Sequence, residues 1–220
     1  MTTNSTRDRK CYGQACTVTT ALDVAGDRWT LLILRELLGG PARFEDLVDG
    51  LPGIARNLLS GRLRRLEDDG VVRRRQSHGG SVYAVTDLGA AVRPAIEELG
   101  FWGLRLPRVA PAVYPRSLRA IAMAVQAILC RAGDELPEHR HVVELEVEGE
   151  PIEVLLGPSP KAITRLGTAP DAQIIAPRPV MSDMVVGQPF DDAALDVVAG
   201  DPLLLSAFTN AMRAPFKQLG

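Results

Sequence analysis

Residues 54–70 combine a helical apolar pattern with side chains that can bind DNA bases. Leu59, Leu63 and Leu66 recur at intervals of four and three residues, which is the spacing of one helix face. The side chains on or near the opposite face are Arg56, Asn57, Ser60 and Arg64. Arginine and asparagine can bond base edges with two hydrogen bonds, and serine can bond a base or a phosphate. The pattern therefore predicts a helix that reads the major groove and ends at Gly70.

Other basic side chains flank this helix, where they could bind phosphates. They are Arg43 before it, Arg62 within it, and Arg73, Arg74, Arg75 and His78 after it. Residues 1–108 contain 16 Lys and Arg against 13 Asp and Glu, whereas residues 109–220 contain 9 against 14. A basic first half and an acidic second half fit a nucleic-acid module joined to a module of another kind. The alternative is that these charges only form solvated faces.

The neighbouring elements predict how the helix is held in place. Three helices are expected before it, at about 17–24, 28–38 and 44–49. Asp27 is a good N-cap for the second, because a carboxylate accepts hydrogen bonds from the free N–H groups of a first turn. After the helix come two strands joined by a turn with paired glycines, and then a long helix. We place these three elements at 71–76, 82–86 and 86–104. This order predicts a winged helix-turn-helix, with the hairpin as the wing.

Several short motifs occur in a fixed order between residues 16 and 103. Besides Cys16, they are Gly26-Asp27-Arg28-Trp29-Thr30-Leu31-Leu32-Ile33-Leu34, Gly40-Pro41-Ala42-Arg43-Phe44, Leu51-Pro52-Gly53-Ile54, Leu63-Arg64-Arg65-Leu66-Glu67 and Tyr83-Ala84-Val85-Thr86-Asp87-Leu88-Gly89. They resemble the HxlR group of winged-helix transcriptional regulators, which are related to the MarR regulators. The resemblance implies a homodimer whose N-terminal and long C-terminal helices form the interface. It also implies that two recognition helices, each starting near Ala55, read a pseudo-palindromic operator in double-stranded DNA.

The chain departs from this family in two respects. Gly61 stands in the recognition helix where a larger polar residue is common, and glycine inside a helix costs roughly 1 kcal/mol relative to alanine. Close approach of the backbone to DNA would explain this glycine, and simple tolerance would explain it equally well. The wing is also short, which limits its reach into the minor groove.

The three cysteines, Cys11, Cys16 and Cys130, are too few for a disulfide scaffold. Cys16 stands just before the first helix, where the family resemblance implies a cysteine that some members use to sense oxidants or electrophiles. A helix N-terminus stabilises a thiolate, and Cys11 is a candidate partner. The alternative is that Cys16 is a small apolar residue buried at a dimer interface. Cys130 falls on an apolar helical stretch and is expected in the core.

A proline-rich stretch, residues 106–115, predicts a domain boundary. We therefore expect a winged-helix DNA-binding domain at 1–106 and a ligand-binding or dimerisation domain at 115–220. The second domain is expected to contain helices near 116–131, 179–186 and 202–213 and strands near 141–148, 152–156, 161–166, 172–176 and 195–198. The predicted fold class is therefore α+β, a winged helix-turn-helix followed by a small sheet-and-helix domain.

Two motifs of the second domain are Pro170-Asp171-Ala172-Gln173-Ile174-Ile175 and Val197-Val198-Ala199-Gly200-Asp201-Pro202. Together with the order of elements, they resemble the sterol carrier protein type 2 fold over roughly the last 80 residues. The resemblance implies an apolar cavity between the sheet and the helices. The candidate ligand-binding residues are Leu145, Val154, Leu156, Ile174, Met181, Met184, Val185 and Phe208. The alternative is that all of them are plain core.

The sequence predicts no catalytic residue, metal site or cofactor, and hence no enzyme. It has no glycine-rich phosphate loop and no nucleophile with an evident base. His139 and His141 lie on one face of a strand, but no ligand cluster accompanies them. The chain also has no apolar run that could span a membrane, and Met1–Lys10 lack the apolar core of a secretory signal. We therefore expect a cytoplasmic protein without a membrane partner.

The leading hypothesis is a DNA-binding transcriptional regulator controlled by a small apolar ligand in the second domain. Such a ligand shifts the spacing of the recognition helices only if it binds their two arrangements with different affinities. Two alternatives stay open. One is redox or electrophile control through Cys16, and the other is a lipid carrier or enzyme for which the winged helix is only an interaction module.

Overall fold

The first half of the chain begins with four helices. The computed structural model describes residues 11–77, 80–107, 117–164, 167, 169–185, 188 and 192–214. The four helices are α1 (Thr17–Ala25), α2 (Thr30–Leu38), α3 (Phe44–Gly50) and α4 (Arg56–Asp68). The Asp27 carboxylate accepts hydrogen bonds from the backbone N–H groups of Trp29 (2.8 Å) and Thr30 (3.2 Å), which confirms its predicted capping role.

A two-stranded wing follows α4, as predicted. Strands β1 (Val72–Ser77) and β2 (Gly80–Val85) pair antiparallel, with Arg74 opposite Tyr83. Tyr83 also forms an isolated antiparallel bridge with Ala42, whose N–H donates to the Tyr83 carbonyl at 3.0 Å. This bridge fixes the base of the wing against the turn between α2 and α3.

The single long helix predicted over 86–104 is wrong, because the structure contains two helices there. They are α5 (Asp87–Ala90) and α6 (Arg93–Gly103). Pro94 occupies the first turn of α6, where proline is tolerated because the N–H that it lacks would have no partner inside the helix. In one continuous helix, Pro94 would leave the carbonyl of Ala90, four residues earlier, without its N–H donor, and α5 ends at Ala90.

The second half is a five-stranded sheet with three helices. The helices are α7 (Leu118–Cys130), α8 (Arg178–Val185) and α9 (Pro202–Arg213). The strands are β3 (His141–Val147), β4 (Glu150–Leu156), β5 (Lys161–Ile163), β6 (Ala172–Ile175) and β7 (Asp196–Gly200). Their order across the sheet is β5-β4-β3-β6-β7, and only the β3–β6 pair is parallel. The α+β fold class is confirmed.

Each half has its own hydrophobic core. The first core joins α2, α3, α4 and the base of the wing, and its fully buried members include Ile33, Leu47 and Leu59. The second joins α7, α8 and α9 to the inner face of the sheet and includes Ile121 and Phe208. None of the helices in the described ranges is both long and apolar enough to cross a membrane.

The two halves meet at the end of α2. Three carbonyl acceptors within four residues there receive hydrogen bonds from later parts of the chain. Arg93 donates to the Leu38 carbonyl (2.8 Å), the Thr164 N–H donates to Gly39 (3.1 Å) and Arg119 donates to Pro41 (3.3 Å). Carbonyls at a helix C-terminus lack partners within the helix, so α6, α7 and β5 together complete the end of α2.

Gly39 makes this junction close. A Cβ atom at this position would lie 2.2 Å from the carbonyl oxygen of Arg119, which is backbone and has no flexible side chain to move aside. The absence of a side chain thus lets the turn after α2 pack directly on the first turn of α7.

Candidate nucleic-acid interface

Helix α4 has a buried apolar back and an exposed polar front. Leu59, Leu63 and Leu66 are all buried in the first core, as their spacing predicted. On the front, Asn57 and Arg64 are exposed and Ser60 is half-buried. These three side chains follow one another at intervals of three and four residues, so they form one continuous stripe along the helix. The stripe is the part of the predicted interface that is open to solvent.

Arg56 is exposed at the start of α4, but it is paired with a carboxylate of its own chain. Its guanidinium donates two hydrogen bonds to Glu45 on α3, one of them Nη1 to Oε2 at 2.7 Å. The guanidinium carbon also lies 5.1 Å from the centre of the Phe44 ring. The hydrogen bond from Arg56 lowers the pKa of Glu45. Arg56 therefore joins the two helices of the helix-turn-helix, and binding a base would require it to leave Glu45.

Arg62 points toward α2 and lies off the exposed front. Its side chain is half-buried, and Nη1 lies 3.4 Å from the carboxylate of Asp27, the residue that caps α2. This ion pair attaches the middle of α4 to the start of α2. Arg62 is thus a structural contact within the first half in this conformation.

Arg43 stands at the N-cap of α3 and is exposed. Its backbone N–H donates to Asp46 at 2.8 Å, and the same Asp46 oxygen lies 3.2 Å from Arg119 of α7. One carboxylate therefore caps α3 and binds the second half of the chain.

The wing presents three exposed arginines, Arg73, Arg74 and Arg75. Arg74 lies over the ring of Tyr83, with its guanidinium carbon 5.9 Å from the ring centre. Successive strand residues point to opposite faces, so Arg73 and Arg75 share the face away from Arg74. His78, which the sequence also placed in this group, lies outside the described residues.

Gly61 is half-buried in the middle of α4, and no atom of the described residues explains it. A Cβ atom built at this position meets nothing within 4 Å. The missing side chain of Gly61 therefore makes room for no neighbour among the described residues.

Cys16 stands at the N-cap of α1 and is exposed. Cys11, five residues earlier, is exposed too. The nearby backbone N–H groups of Thr19 and Val18, in the first turn of α1, lower the pKa of the Cys16 thiol because they stabilise the thiolate. The Cys11 thiol donates to Asp23 of α1 at 3.2 Å. Cys130 is exposed at the end of α7, although partial burial raises the pKa of its thiol. The expectation that Cys130 is a core residue is therefore wrong.

Seven of the eight candidate ligand-binding residues are buried in the second core. They are Leu145, Val154, Leu156, Ile174, Met181, Met184 and Phe208. Val185 is half-buried and packs against the same core. Met184 and Val185 also line a cleft that opens toward α6. Within the described ranges, no group of three His, Cys, Asp or Glu side chains is arranged to hold a metal ion.

Three ion pairs that hold the interface together have no counterpart in the sequence motifs. Glu45 pairs with Arg56, Asp27 pairs with Arg62, and Asp46 pairs with Arg119. The partners in these pairs are 11, 35 and 73 residues apart, so no local period connects them. Only the charge complementarity across the turn between α3 and α4 offered a signal.

Comparisons with known proteins match the first half. A family model described as HxlR-like helix-turn-helix matches residues 24–109. The uncharacterized HTH-type transcriptional regulator YvaP of Bacillus subtilis is 38% identical over 85 residues, which cover 37% of this chain and 79% of YvaP. The HTH-type transcriptional regulator YodB of the same organism is 31% identical over 85 residues, covering 37% of this chain and 76% of YodB.

Solved structures match over the same part of the chain. The crystal structure of quinone-bound YodB from B. subtilis is 29% identical and covers 40% of this chain and 97% of that chain, with a TM-score of 0.37. That low score adds nothing to the sequence alignments, which carry the assignment alone. A relative with 38% identity over most of its own length places this chain in its family. The chain belongs to the HxlR-like helix-turn-helix family.

Proposed function

We propose that this chain is a transcriptional regulator that binds double-stranded DNA through α4 and the wing. The observation that carries the proposal is the exposed stripe of Asn57, Ser60 and Arg64 over a fully buried leucine back. Such a helix can enter the major groove while its core packing stays intact. YvaP and YodB are named as transcriptional regulators, and both align with the part of the chain that carries this helix.

The contacts divide into two groups. Asn57, Ser60 and Arg64 read base edges, whereas Arg43 and the wing arginines bind phosphates and set the register. Arg56 can bind a base only after its ion pair with Glu45 breaks. Arg62 stays with Asp27 and supports the helix from behind.

A homodimer is the assembly that this function needs, because two related helices read a pseudo-palindrome. Exposed apolar side chains support the family's arrangement, in which α1 and α6 form the interface. They are Val18 and Leu22 on α1 and Leu99 and Trp102 on α6. Isolated apolar residues on a surface are ordinary, but four on these two helices suit a shared interface. Since the protein acts on DNA, we place it in the cytoplasm.

Fluorescence anisotropy with the DNA upstream of the protein's own operon tests the proposal. We expect specific binding at moderate salt that a scrambled duplex does not compete. In the Arg74→Ala variant, affinity for all sequences should fall alike, and the slope of log affinity against log salt should flatten by about 0.9 for the lost phosphate contact. Absence of any sequence-specific binding at moderate salt would overturn the regulator assignment.

Redox or electrophile control through Cys16 is a second proposal, supported by one observation. The Cys16 sulfur is exposed, and the N–H groups of the first turn of α1 lower its pKa, so the reactive thiolate is favoured. We expect Cys16→Ser to keep DNA affinity and to abolish the response of that affinity to diamide. Cys130→Ser is the matched control and should respond like the original chain. An unchanged diamide response in Cys16→Ser would exclude this mode of control.

The second half, with its proposed boundary near 115, serves regulation under the leading proposal. A sterol-carrier-like domain remains our prediction for it, as does control by a small apolar ligand. Its helices pack on an apolar sheet face, as such a domain requires. A lipid carrier or enzyme with an appended winged helix is the alternative, and the anisotropy experiment separates the two.

A further inference from the structure

A cleft of about 210 Å³ lies where α6 of the first half meets α7 and α8 of the second. Its walls are mainly apolar and include Phe101 of α6, Met123 of α7 and Met184 of α8. Two charged residues, Arg35 of α2 and Glu97 of α6, also line it. The cleft therefore joins an apolar body to one positive and one negative group.

Each of these charged residues has a buried polar atom without a hydrogen-bond partner. The atoms are Arg35 Nε, which is a donor, and Glu97 Oε1, which is an acceptor. The Arg35 Nη2 atom is already used, since it donates to Glu36 at 2.7 Å. Burial raises the pKa of Glu97, although the charge of Arg93 opposes this in part. A buried donor or acceptor without a partner is unfavourable, so a polar group that supplies a partner to either atom is favoured here.

The size and lining of the cleft define the class of molecule. An apolar cavity of about 150 Å³ can hold benzene, so this cleft has room for one or two fused rings. A charged ligand would meet a like charge on either Arg35 or Glu97, whereas a neutral hydroxyl group can donate to a carboxylate such as Glu97. We propose that the cleft binds a compact neutral aromatic molecule with one hydroxyl group, which donates to the carboxylate of Glu97.

Residues of α6 and α7 close to the cleft contact the end of α2, the turn after it and α3. On α7, Arg119 directly precedes the lining residue Ala120 and binds Pro41 and Asp46 at the start of α3. On α6, Arg93 stands one turn before Glu97 and binds the Leu38 carbonyl. A ligand that moves α6 away from α7 would therefore displace the turn between α2 and α3. This turn positions α3 and α4. This regulatory consequence rests on the proposed function, whereas the binding site itself does not.

Isothermal titration calorimetry of the full chain with 2-naphthol tests the site without DNA. Naphthalene has the same rings without the hydroxyl group, and 2-naphthoate adds a charge. We expect 2-naphthol to bind, and both other compounds to bind at least about tenfold more weakly, because they lose or mismatch the polar contacts. No binding of 2-naphthol, or equal binding of naphthalene, would overturn the proposal.

A pair of glycine variants locates the bound molecule. Gly100 lines the cleft and Gly103 does not, yet a Cβ atom at either position meets nothing within 4 Å. Gly100→Leu should fill the cleft and weaken 2-naphthol binding at least about tenfold, whereas Gly103→Leu should keep it. Glu97→Leu should reduce 2-naphthol binding to the level of naphthalene. Equal losses in both leucine variants would contradict the location.

Two further readouts separate the remaining interpretations. If Gly100→Leu changes the mass in sedimentation equilibrium and 2-naphthol does not bind, the cleft is a contact between copies and the proposal fails. If 2-naphthol binds but leaves operator affinity unchanged, the site stands and the link to α3 fails. If 2-naphthol binds and no specific DNA binding is found, the site stands and the proposed regulator function fails.

Discussion

The two halves of the chain use arginine differently. In the second half, Arg119, Arg131 and Arg178 each pair with a carboxylate, two of these within the first half. In the first half, Arg56 and Arg62 are paired in the same way, whereas Arg64 and the wing arginines are exposed, and no salt bridge among the described residues involves Arg64. Arginines that are already paired hold elements together, whereas exposed ones are available for a polyanion. Arginine content alone therefore overestimates the DNA-binding surface.

The largest expected effect comes from removing an exposed arginine of α4. Arg64→Ala should weaken operator binding by about 1–3 kcal/mol, which is roughly 5–150-fold, because a bidentate base contact is lost. Fluorescence anisotropy with the operator measures the change. Arg178→Ala is the control, since Arg178 pairs with Glu148 on the second half, and it should leave DNA affinity unchanged. Equal losses in the two variants would break the comparison between the halves.

The two halves should also differ in thiol reactivity. The pKa of Cys16 is lowered by the N–H groups of Thr19 and Val18, whereas the pKa of Cys130 is raised by burial and by the charge of Glu97. Near neutral pH, each pKa unit between them changes the ratio of thiolate fractions by about tenfold. We expect iodoacetamide to alkylate Cys16 before Cys130. Peptide mass spectrometry across pH 6–10 measures the two rates.

The order of labelling decides this prediction. The rate at Cys16 should reach its plateau at lower pH than the rate at Cys130. Urea-unfolded protein is the control, in which the two cysteines should react alike because both causes are absent. Faster labelling of Cys130 in the folded protein would contradict the prediction.

A smaller effect is expected at the unexplained glycine of α4. Gly61→Ala should raise the free energy of unfolding by about 1 kcal/mol, because alanine favours the helix and no protein atom obstructs its Cβ. Urea denaturation measures this change. Gly100→Ala on α6 is the control and should stabilise the protein similarly. If Gly61→Ala alone also loses DNA affinity, the backbone of α4 approaches DNA closely, and unchanged affinity favours simple tolerance.

The smallest effect concerns the pair that joins α3 to α4. Arg56 and Glu45 are both exposed, so a double-mutant cycle with alanine should give a coupling energy of about 0.2–1 kcal/mol in urea unfolding. DNA affinity sharpens the result, because Glu45→Ala releases Arg56 and removes a negative charge. Stronger operator binding by Glu45→Ala would assign Arg56 a role in reading bases. Weaker binding would assign the pair a positioning role instead.

The sequence predicted most elements of the first half because their signals are local. The leucine period of α4, the cap at Asp27 and the paired glycines of the wing each act within a few residues. Pro94 is an equally local signal, and it marks the break between α5 and α6. In the second half, the strands predicted at 141–148 and 152–156 are β3 and β4, and the turn between them falls at Glu148 and Gly149, which have positive φ values.

The pairings of the site could not be predicted in the same way. Arg56 and Arg64 have the same chemistry on the same helix, and only the position of Glu45 on α3 separates their roles. Likewise, the apolar residues of the second half have the spacing of both a core and a cavity wall. Their burial is a property of how α7, α8 and α9 pack on the sheet, which no single segment specifies.

Helix α6 belongs to both halves at once. Ile96 packs against the first core, whereas Phe101, one and a half turns later, is buried in the second beneath the guanidinium of Arg131. The family match ends at residue 109, yet a chain cut there would expose the ring of Phe101 to water. A fragment that contains only the winged helix would thus expose an apolar surface that can bind other apolar surfaces. The segment that matches the relatives therefore does not coincide with the segment that buries its own apolar residues. The second of these segments extends past residue 109.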